Sequence, residues 1–334
     1  MKTVAFFNNK GGVGKTTLTY HLAWMYQELG LEVVALDLDP QAHLTTAFLE
    51  EDQLKRLWLD GTRPDTILGV VQPLLERLGD LRPPDLQIIG DHLALLPGNL
   101  GLSLFEDRLA DAWSRCLEDN ASEASDAFRV MSAFYRAALL AAESRGAELV
   151  LIDVGPSLGA LNRAVLVACD FVVIPLSADL FSLQGLGNLG PVLSHWRSGW
   201  KKRLLQGKQL LHDLSLPAGD MQPIGYVVLY QAVRRDRPVK AYQSWIERIP
   251  RVYHESILRN HSELAIESDP HRLAILKGYR SLMPLAQDAH KPMFLLKPAD
   301  GAIGGLSEAV LDCYRDFREL AIQIARRCGV ALKT

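Results

Sequence analysis

The chain has 334 residues, 48% of them hydrophobic, and a formal net charge of −3. That is ample for a buried core, and it excludes a disordered or globally basic polypeptide, so any nucleic-acid contact has to come from a local patch. The four cysteines, Cys116, Cys169, Cys313 and Cys328, show neither close pairing nor metal-ligand spacing and read as thiols of a reducing compartment.

Thr3-Val4-Ala5-Phe6-Phe7 is the first short apolar run and predicts a strand. It lies near the start, so neither a signal peptide nor a helix-turn-helix domain is expected before the motif that follows. No apolar run reaches the roughly 18 residues that span a bilayer, so a cytoplasmic protein with no membrane partner is expected. A helical pattern follows, with Leu18, Leu22, Met25 and Leu29 on one side and Gly30 as its stop. Further strands are predicted at Glu32–Leu36, Leu149–Ile152, Phe171–Ile174 and Ile224–Leu229. These runs are apolar on both faces, as buried parallel strands are. Alternation of strand and helix predicts a doubly wound α/β fold, a mostly parallel sheet with helices on both faces. Three stretches break the pattern within a single domain of residues 1–334. Residues 47–92 carry polar helical segments and the Arg82-Pro83-Pro84 break. Residues 101–147 read as a helical insertion. Residues 231–291, rich in Arg, His and Tyr, form a variable segment. Leu306 to Arg327 predicts a last helix whose Val310, Phe317, Leu320 and Ile324 pack on the sheet.

Between the first strand and the first helix stands Lys10-Gly11-Gly12-Val13-Gly14-Lys15-Thr16-Thr17. A triphosphate needs inward backbone N–H groups, close approach without Cβ clashes, and a cation. Glycines and a helix N-terminus supply the first two, and Lys15 the third, reaching the β- and γ-phosphates. The Thr16 hydroxyl is placed to coordinate Mg²⁺. These residues predict a phosphate-binding loop for a nucleoside triphosphate, ATP by preference. The second strand ends in Asp37-Leu38-Asp39-Pro40-Gln41, and alternation puts Asp37 and Asp39 on one side, beside the loop. Two carboxylates there can hold Mg²⁺ through water and orient an attacking water. A third apolar strand delivers Asp153, a Walker B aspartate that reaches Mg²⁺.

The first glycine of the usual pattern is replaced by Asn9, and Lys10 stands directly before two glycines. With Asp37-Leu38-Asp39-Pro40-Gln41 and Asp153-Val154-Gly155-Pro156-Ser157-Leu158-Gly159, this deviant Walker A motif resembles the ParA/MinD (SIMIBI) family of ATPases, and within it the ParA/Soj-like partition ATPases. The likeness covers about residues 1–46 and 148–190, more weakly 220–230 and 291–328. The resemblance implies a homodimer formed on ATP, with Lys10 reaching across the interface to the partner's nucleotide. It implies that Asp39 is needed for hydrolysis and that Lys10, Lys15 and Asp39 form the catalytic set. Gly155 stands where the family commonly has proline, which implies a looser γ-phosphate-sensing loop.

Family members of ParA type bind DNA non-specifically and move plasmids, chromosomes or protein cargo, stimulated by a ParB-like or other partner. MinD-type members bind membrane through a C-terminal amphipathic helix, and the short weakly basic end of this chain does not match that. Two basic clusters are candidate DNA contacts, Lys201, Lys202 and Arg203, and Arg234, Arg235 and Arg237. DNA partition, at the nucleoid, is the expected output; the alternative is a regulatory ATPase that switches a dedicated protein partner without transporting DNA.

Overall fold

A computed structural model of the chain describes residues 1–59, 65–211, 213–229, 239–260, 269–279 and 281–332. In chain order its elements are β1 (Lys2–Phe6), α1 (Lys15–Glu28), β2 (Val33–Asp37), α2 (His43–Phe48), α3 (Glu51–Trp58), α4 (Ile67–Leu75), β3 (Gln87–Ile88), β4 (Leu93–Leu96), α5 (Phe105–Arg115), α6 (Ala121–Met131), α7 (Ala133–Arg145), β5 (Leu149–Asp153), α8 (Ala160–Val167), β6 (Phe171–Ser177), α9 (Leu180–Leu210), β7 (Gln222–Leu229), α10 (Val239–Ile246), α11 (Ile249–Val252), β8 (Arg272–Leu276), α12 (Met283–Asp288) and α13 (Gly305–Cys328). The strands form one sheet in the order β3-β4-β2-β5-β1-β6-β7-β8. All pairs are parallel except β3 with β4.

Period-two alternation splits the core between two faces of the sheet. Along β5, Val150 and Ile152 pack beneath α4 to α9, whereas Leu149 and Leu151 pack beneath α1, α12 and α13. The 101–147 segment is integral to the first of these layers. Phe105, Leu109, Phe128, Met131 and Phe134 are buried in the same core as Val150 and Ile152. The alanines of α7, Ala133, Ala137, Ala138 and Ala141, form a small-residue face of that layer. The described part of the 231–291 segment supplies α10, α11, the edge strand β8 and α12. The last helix, α13, buries Val310, Phe317, Leu320 and Ile324 on the other face. β1 lies between β5 and β6, so connections diverge to either side of it. The crevice at such a switch point, outside the carboxyl ends of the strands, is where open α/β sheets hold ligands.

Candidate nucleotide site

β1 delivers the chain into that crevice, and the turn to α1 passes through Gly12 and Gly14 with φ of 70° and 85°, which favours glycine. A Cβ on Gly14 would also collide with the Leu229 side chain at the end of β7. α1 then opens with no side-chain cap and no acidic residue in its first turn. Its positive end is therefore left to an external anion. Lys15 is 7% exposed, and its Nζ lies 3.4 Å from the Lys10 carbonyl oxygen. Burial pushes the Lys15 pKa down, and the nearby carboxylates of Asp153 and Asp39 pull against that.

The Thr16 hydroxyl donates to Asp153 Oδ2 at 2.6 Å. The other oxygen, Asp153 Oδ1, is buried with no hydrogen-bond partner. The β2–β5 register places Asp37 directly beside Asp153. Burial first, and Asp37 second, push the Asp153 carboxyl well above its ordinary range, against the Thr16 hydrogen bond. Burial likewise raises Asp37 to about 6. Asp37 was grouped by the sequence with Thr16 and Asp153, but its bonds run elsewhere. Its Oδ2 accepts from the Thr45 amide (2.8 Å) and hydroxyl (2.7 Å), and Oδ1 from the Asp39 amide (3.3 Å). Asp37 thus braces the turn from β2 to α2, and Asp153 is the carboxylate that meets Thr16. A hydroxyl, a buried carboxylate with an orphaned oxygen and an adjoining anion site form an oxygen donor set suited to Mg²⁺.

Asp39 lies past the end of β2, where its Oδ1 accepts from the Gln41 amide at 3.0 Å. Facing it is the loop after β5. A Cβ at Gly155 would stand 3.1 Å from Asp39 Oδ1, so the glycine makes room for that carboxylate. The expected looseness at Gly155 is countered by Asn162, whose amide donates to the carbonyls of Gly155 (2.8 Å) and Ser157 (2.7 Å).

Lys10 is tied within its own chain. Its Nζ lies 2.5 Å from Asp179 Oδ2, and its backbone N–H donates to Asn8 Oδ1 at 3.0 Å. Asp179 is the N-cap of α9, accepting from the Ser182 amide at 2.8 Å. Burial opposes ionisation of Asp179, yet Lys10 and the Ser182 amide hold its carboxyl below the usual range. The Lys10 ammonium also lies 5.9 Å from the ring centroid of Phe181, a side chain 69% exposed. Nothing in the loop motif signals Asn8 or Asp179; the first stands just before the motif and the second past the end of β6. A cavity of about 440 Å³ adjoins Thr16 and Thr17, lined further by Tyr20, His43, Met283, Gln287 and His290.

A sequence-family profile described as an AAA domain matches residues 1–205. The chain is 29% identical over 205 residues to the chromosome-partitioning ATPase Soj of Thermus thermophilus, 61% of this chain and 66% of that protein. It is 28% identical over 197 residues to Protein IncC of Escherichia coli, 59% of this chain and 47% of that protein. The chain belongs to the ParA/MinD family of P-loop ATPases. It spans about half to two thirds of the length of these two relatives. Among solved structures, a protein of Corynebacterium diphtheriae superposes with a TM-score of 0.67 at 24% identity, covering 98% of both chains. The ATP complex of McdA from Cyanothece superposes with a TM-score of 0.62 at 16% identity, covering 100% of this chain and 98% of that one. These two likenesses show the fold.

In this family member the two basic clusters fare differently. Lys201 and Lys202 are exposed on α9, whereas Arg203 is 7% exposed. Its guanidinium donates to the carbonyls of Trp113 (2.5 Å) and Gly199 (2.8 Å) and stacks 3.8 Å from the Trp113 ring. Arg203 is therefore a packing residue and unavailable to a phosphate, contrary to the sequence expectation. Arg234, Arg235 and Arg237 lie outside the described residues. A further basic groove, missed in the sequence, runs along α13 and is lined by Arg315, Arg318, Arg326 and Arg327 with Glu319. The helical spacing of Arg315, Arg318 and Arg326 puts them on one face, a signal hidden among the acidic residues of the same helix. No helix among the described residues is long and apolar enough to cross a membrane.

Proposed function

We propose that this chain is an ATP-dependent dimerising switch of ParA type, a slow, partner-stimulated ATPase that binds DNA non-specifically in its ATP state and positions a plasmid, chromosome or protein cargo. The observation that carries the reading is the Thr16–Asp153 hydrogen bond beside the uncapped start of α1, with Lys15 buried in the field of Asp153 and Asp39. The names of the relatives, a partitioning ATPase among them, point the same way.

In this reading the triphosphate lies against Gly11, Gly12, Val13, Gly14, Lys15, Thr16 and Thr17, and its nucleoside enters the cavity beside Thr17. Lys15 neutralises charge on the transferring phosphoryl group. Thr16 and Asp153 would hold Mg²⁺, which would supply charge to offset that of the phosphates, and Asp37 fixes the turn behind them. Asp39 orients the attacking water for in-line displacement. Lys10 leaves Asp179 and meets the nucleotide of a second copy. Exposed apolar side chains suit that closure: Leu158, Leu180 and Phe181 all stand just past the carboxyl ends of β5 and β6. Lys201 and Lys202, with Arg315, Arg318 and Arg326 of α13, are the candidate phosphate contacts, doubled in a dimer. A ParB-like or other protein then stimulates hydrolysis.

The test is sedimentation and duplex-DNA binding of the purified chain with ATP, ADP and no nucleotide, across a salt series. The reading expects a dimer and DNA binding with ATP alone, and affinity that falls as salt rises. A chain that binds no nucleotide sinks the ATPase reading. A chain that dimerises on ATP but leaves DNA unbound at low salt reduces it to a switch acting on a protein partner.

A further inference from the structure

Helix α8 begins directly after the loop that faces Asp39, and it has no cap of its own. Gly159 is the N-cap residue and offers no side chain, and the first turn carries no acidic residue. The missing acceptors come from 54 residues upstream. Glu106, in the first turn of α5, accepts from the Ala160 amide at 2.5 Å through Oε1 and from the Leu161 amide at 2.8 Å through Oε2. One carboxylate thus satisfies two of the orphan donors of α8 and meets the positive end of its dipole. Gly159 sits so close that a Cβ there would strike the Glu106 carboxylate, although its φ of −83° suits any residue. A second contact lies one turn along α8 and about two turns along α5, where Arg163 of α8 stacks 4.3 Å from the Trp113 ring of α5.

The helix so held is the one that holds the loop. Asn162 donates to the carbonyls of Gly155 and Ser157, and Gly155 abuts Asp39. A continuous set of contacts therefore runs from Glu106 through the start of α8 and Asn162 to the loop beside Asp39. We propose that Glu106 is a positioning residue for ATP hydrolysis, fixing the loop of residues 154–159 against Asp39 from outside the nucleotide site. The inference rests on the ATPase reading above. Glu106 contacts neither the phosphate loop nor Asp153 through any hydrogen bond described, so its loss acts on turnover and spares nucleotide binding.

The test uses the full chain with Glu106→Ala, Glu106→Gln and Gly159→Ala, measuring kcat, KM for Mg·ATP, affinity for a non-hydrolysable ATP analogue and amide exchange over residues 154–161. Glu106→Ala is expected to lower kcat about tenfold while KM and analogue affinity move less than about twofold. Exchange over 154–161 rises. Glu106→Gln keeps the shape and one acceptor and recovers part of the rate. Gly159→Ala displaces the carboxylate and reproduces the Glu106→Ala phenotype, and the double variant is no worse than either single one, because the methyl enters the space the carboxylate left. Unchanged kcat and exchange, or kcat and analogue affinity falling together, or fully additive losses, each overturn the proposal. If the wild-type chain binds no ATP, the ATPase reading and the proposed role fail together, and the exchange data then report only whether the clamp exists. If it binds and hydrolyses ATP but the variants match it, only the Glu106 inference fails.

Discussion

Lys10 and Asp179 form an ion pair of 2.5 Å within one chain, between the turn after β1 and the first residue before α9. Their side chains are 28% and 21% exposed, so the pair is partly screened by solvent and modest in strength. Asp179 serves two masters, the Lys10 ammonium and the Ser182 amide. In the proposed dimer Lys10 has to leave the first of these.

Asp179→Asn separates the two duties, since asparagine caps a helix as well as aspartate does but cannot pair with an ammonium. The expected outcome is an unchanged unfolding midpoint and ATP-dependent dimerisation at a protein concentration lower by about twofold to fivefold, the range a partly exposed ion pair allows. Sedimentation velocity with ATP across a dilution series checks it, and weaker dimerisation would mean that Asp179 guides Lys10 into the interface instead.

Lys15 and Asp39 should fail differently. Lys15→Ala removes the cation of the phosphate loop and is expected to weaken ATP binding by about a hundredfold or more. Asp39→Ala leaves the loop intact and is expected to keep ATP affinity within about threefold while turnover drops by about a hundredfold, leaving the dimer trapped. Isothermal titration and single-turnover hydrolysis distinguish the two, and an Asp39→Ala chain with wild-type turnover removes Asp39 from the mechanism.

Arg203 and its neighbours give a contrast on one helix. Arg203→Ala, which loses two hydrogen bonds and the Trp113 stack, is expected to cost about 2 kcal/mol of unfolding free energy in urea. Lys201→Ala with Lys202→Ala is expected to leave stability within about 0.5 kcal/mol. If those lysines meet DNA, the double variant also lowers the slope of log affinity against log salt by up to about two, as would Arg315→Ala with Arg318→Ala on α13.

His21 sets a pH dependence. Its Nδ1 lies 2.8 Å from the Thr17 carbonyl oxygen and its Nε2 accepts from the Met293 amide at 3.2 Å, which fixes the neutral ring with the proton on Nδ1. Burial lowers its pKa to about 4, against the Thr17 hydrogen bond. Because the folded value lies below the unfolded one, the unfolded chain binds more protons between pH 6.5 and 4. The contribution is therefore present above pH 6.5 and is lost as pH falls through 4, in all about 3 kcal/mol. Urea unfolding of His21→Gln against wild type should show a shallower fall over that window; parallel curves would remove His21 as the cause.

The parts of the fold that alternate cleanly were legible. β1, β2 and β5 to β7 announce themselves as runs apolar on both faces, and the strand ends that carry Asp37 and Asp153 follow from them. β8 was hidden because Arg272-Leu273-Ala274-Ile275-Leu276 is an edge strand within a basic stretch, and β4 because Leu93-Ala94-Leu95-Leu96 lacks β-branching and reads equally as helix. At the site, the glycine turn from β1 into α1 was legible because its signal is local. Asp179 and Glu106 were not, since each acts on a segment that only the folded sheet brings near, whereas Asn162 and Thr45 bond to chain neighbours but carry no motif that announces it. Arg203 shows the converse error: a Lys-Lys-Arg run looks uniformly solvated, yet helical rotation turns its third member inward onto Trp113.

The lateral pairing of Asp37 with Asp153 has a cost that sequence patterning alone would avoid. Two acids side by side in the middle of a sheet repel when both ionise, and neither can turn away without breaking the strands that carry them. A proton or a cation held between the two carboxyls would relieve this repulsion. The register that aligns the two strands thus also aligns two like charges, and the sheet carries that burden in its middle rather than at an edge.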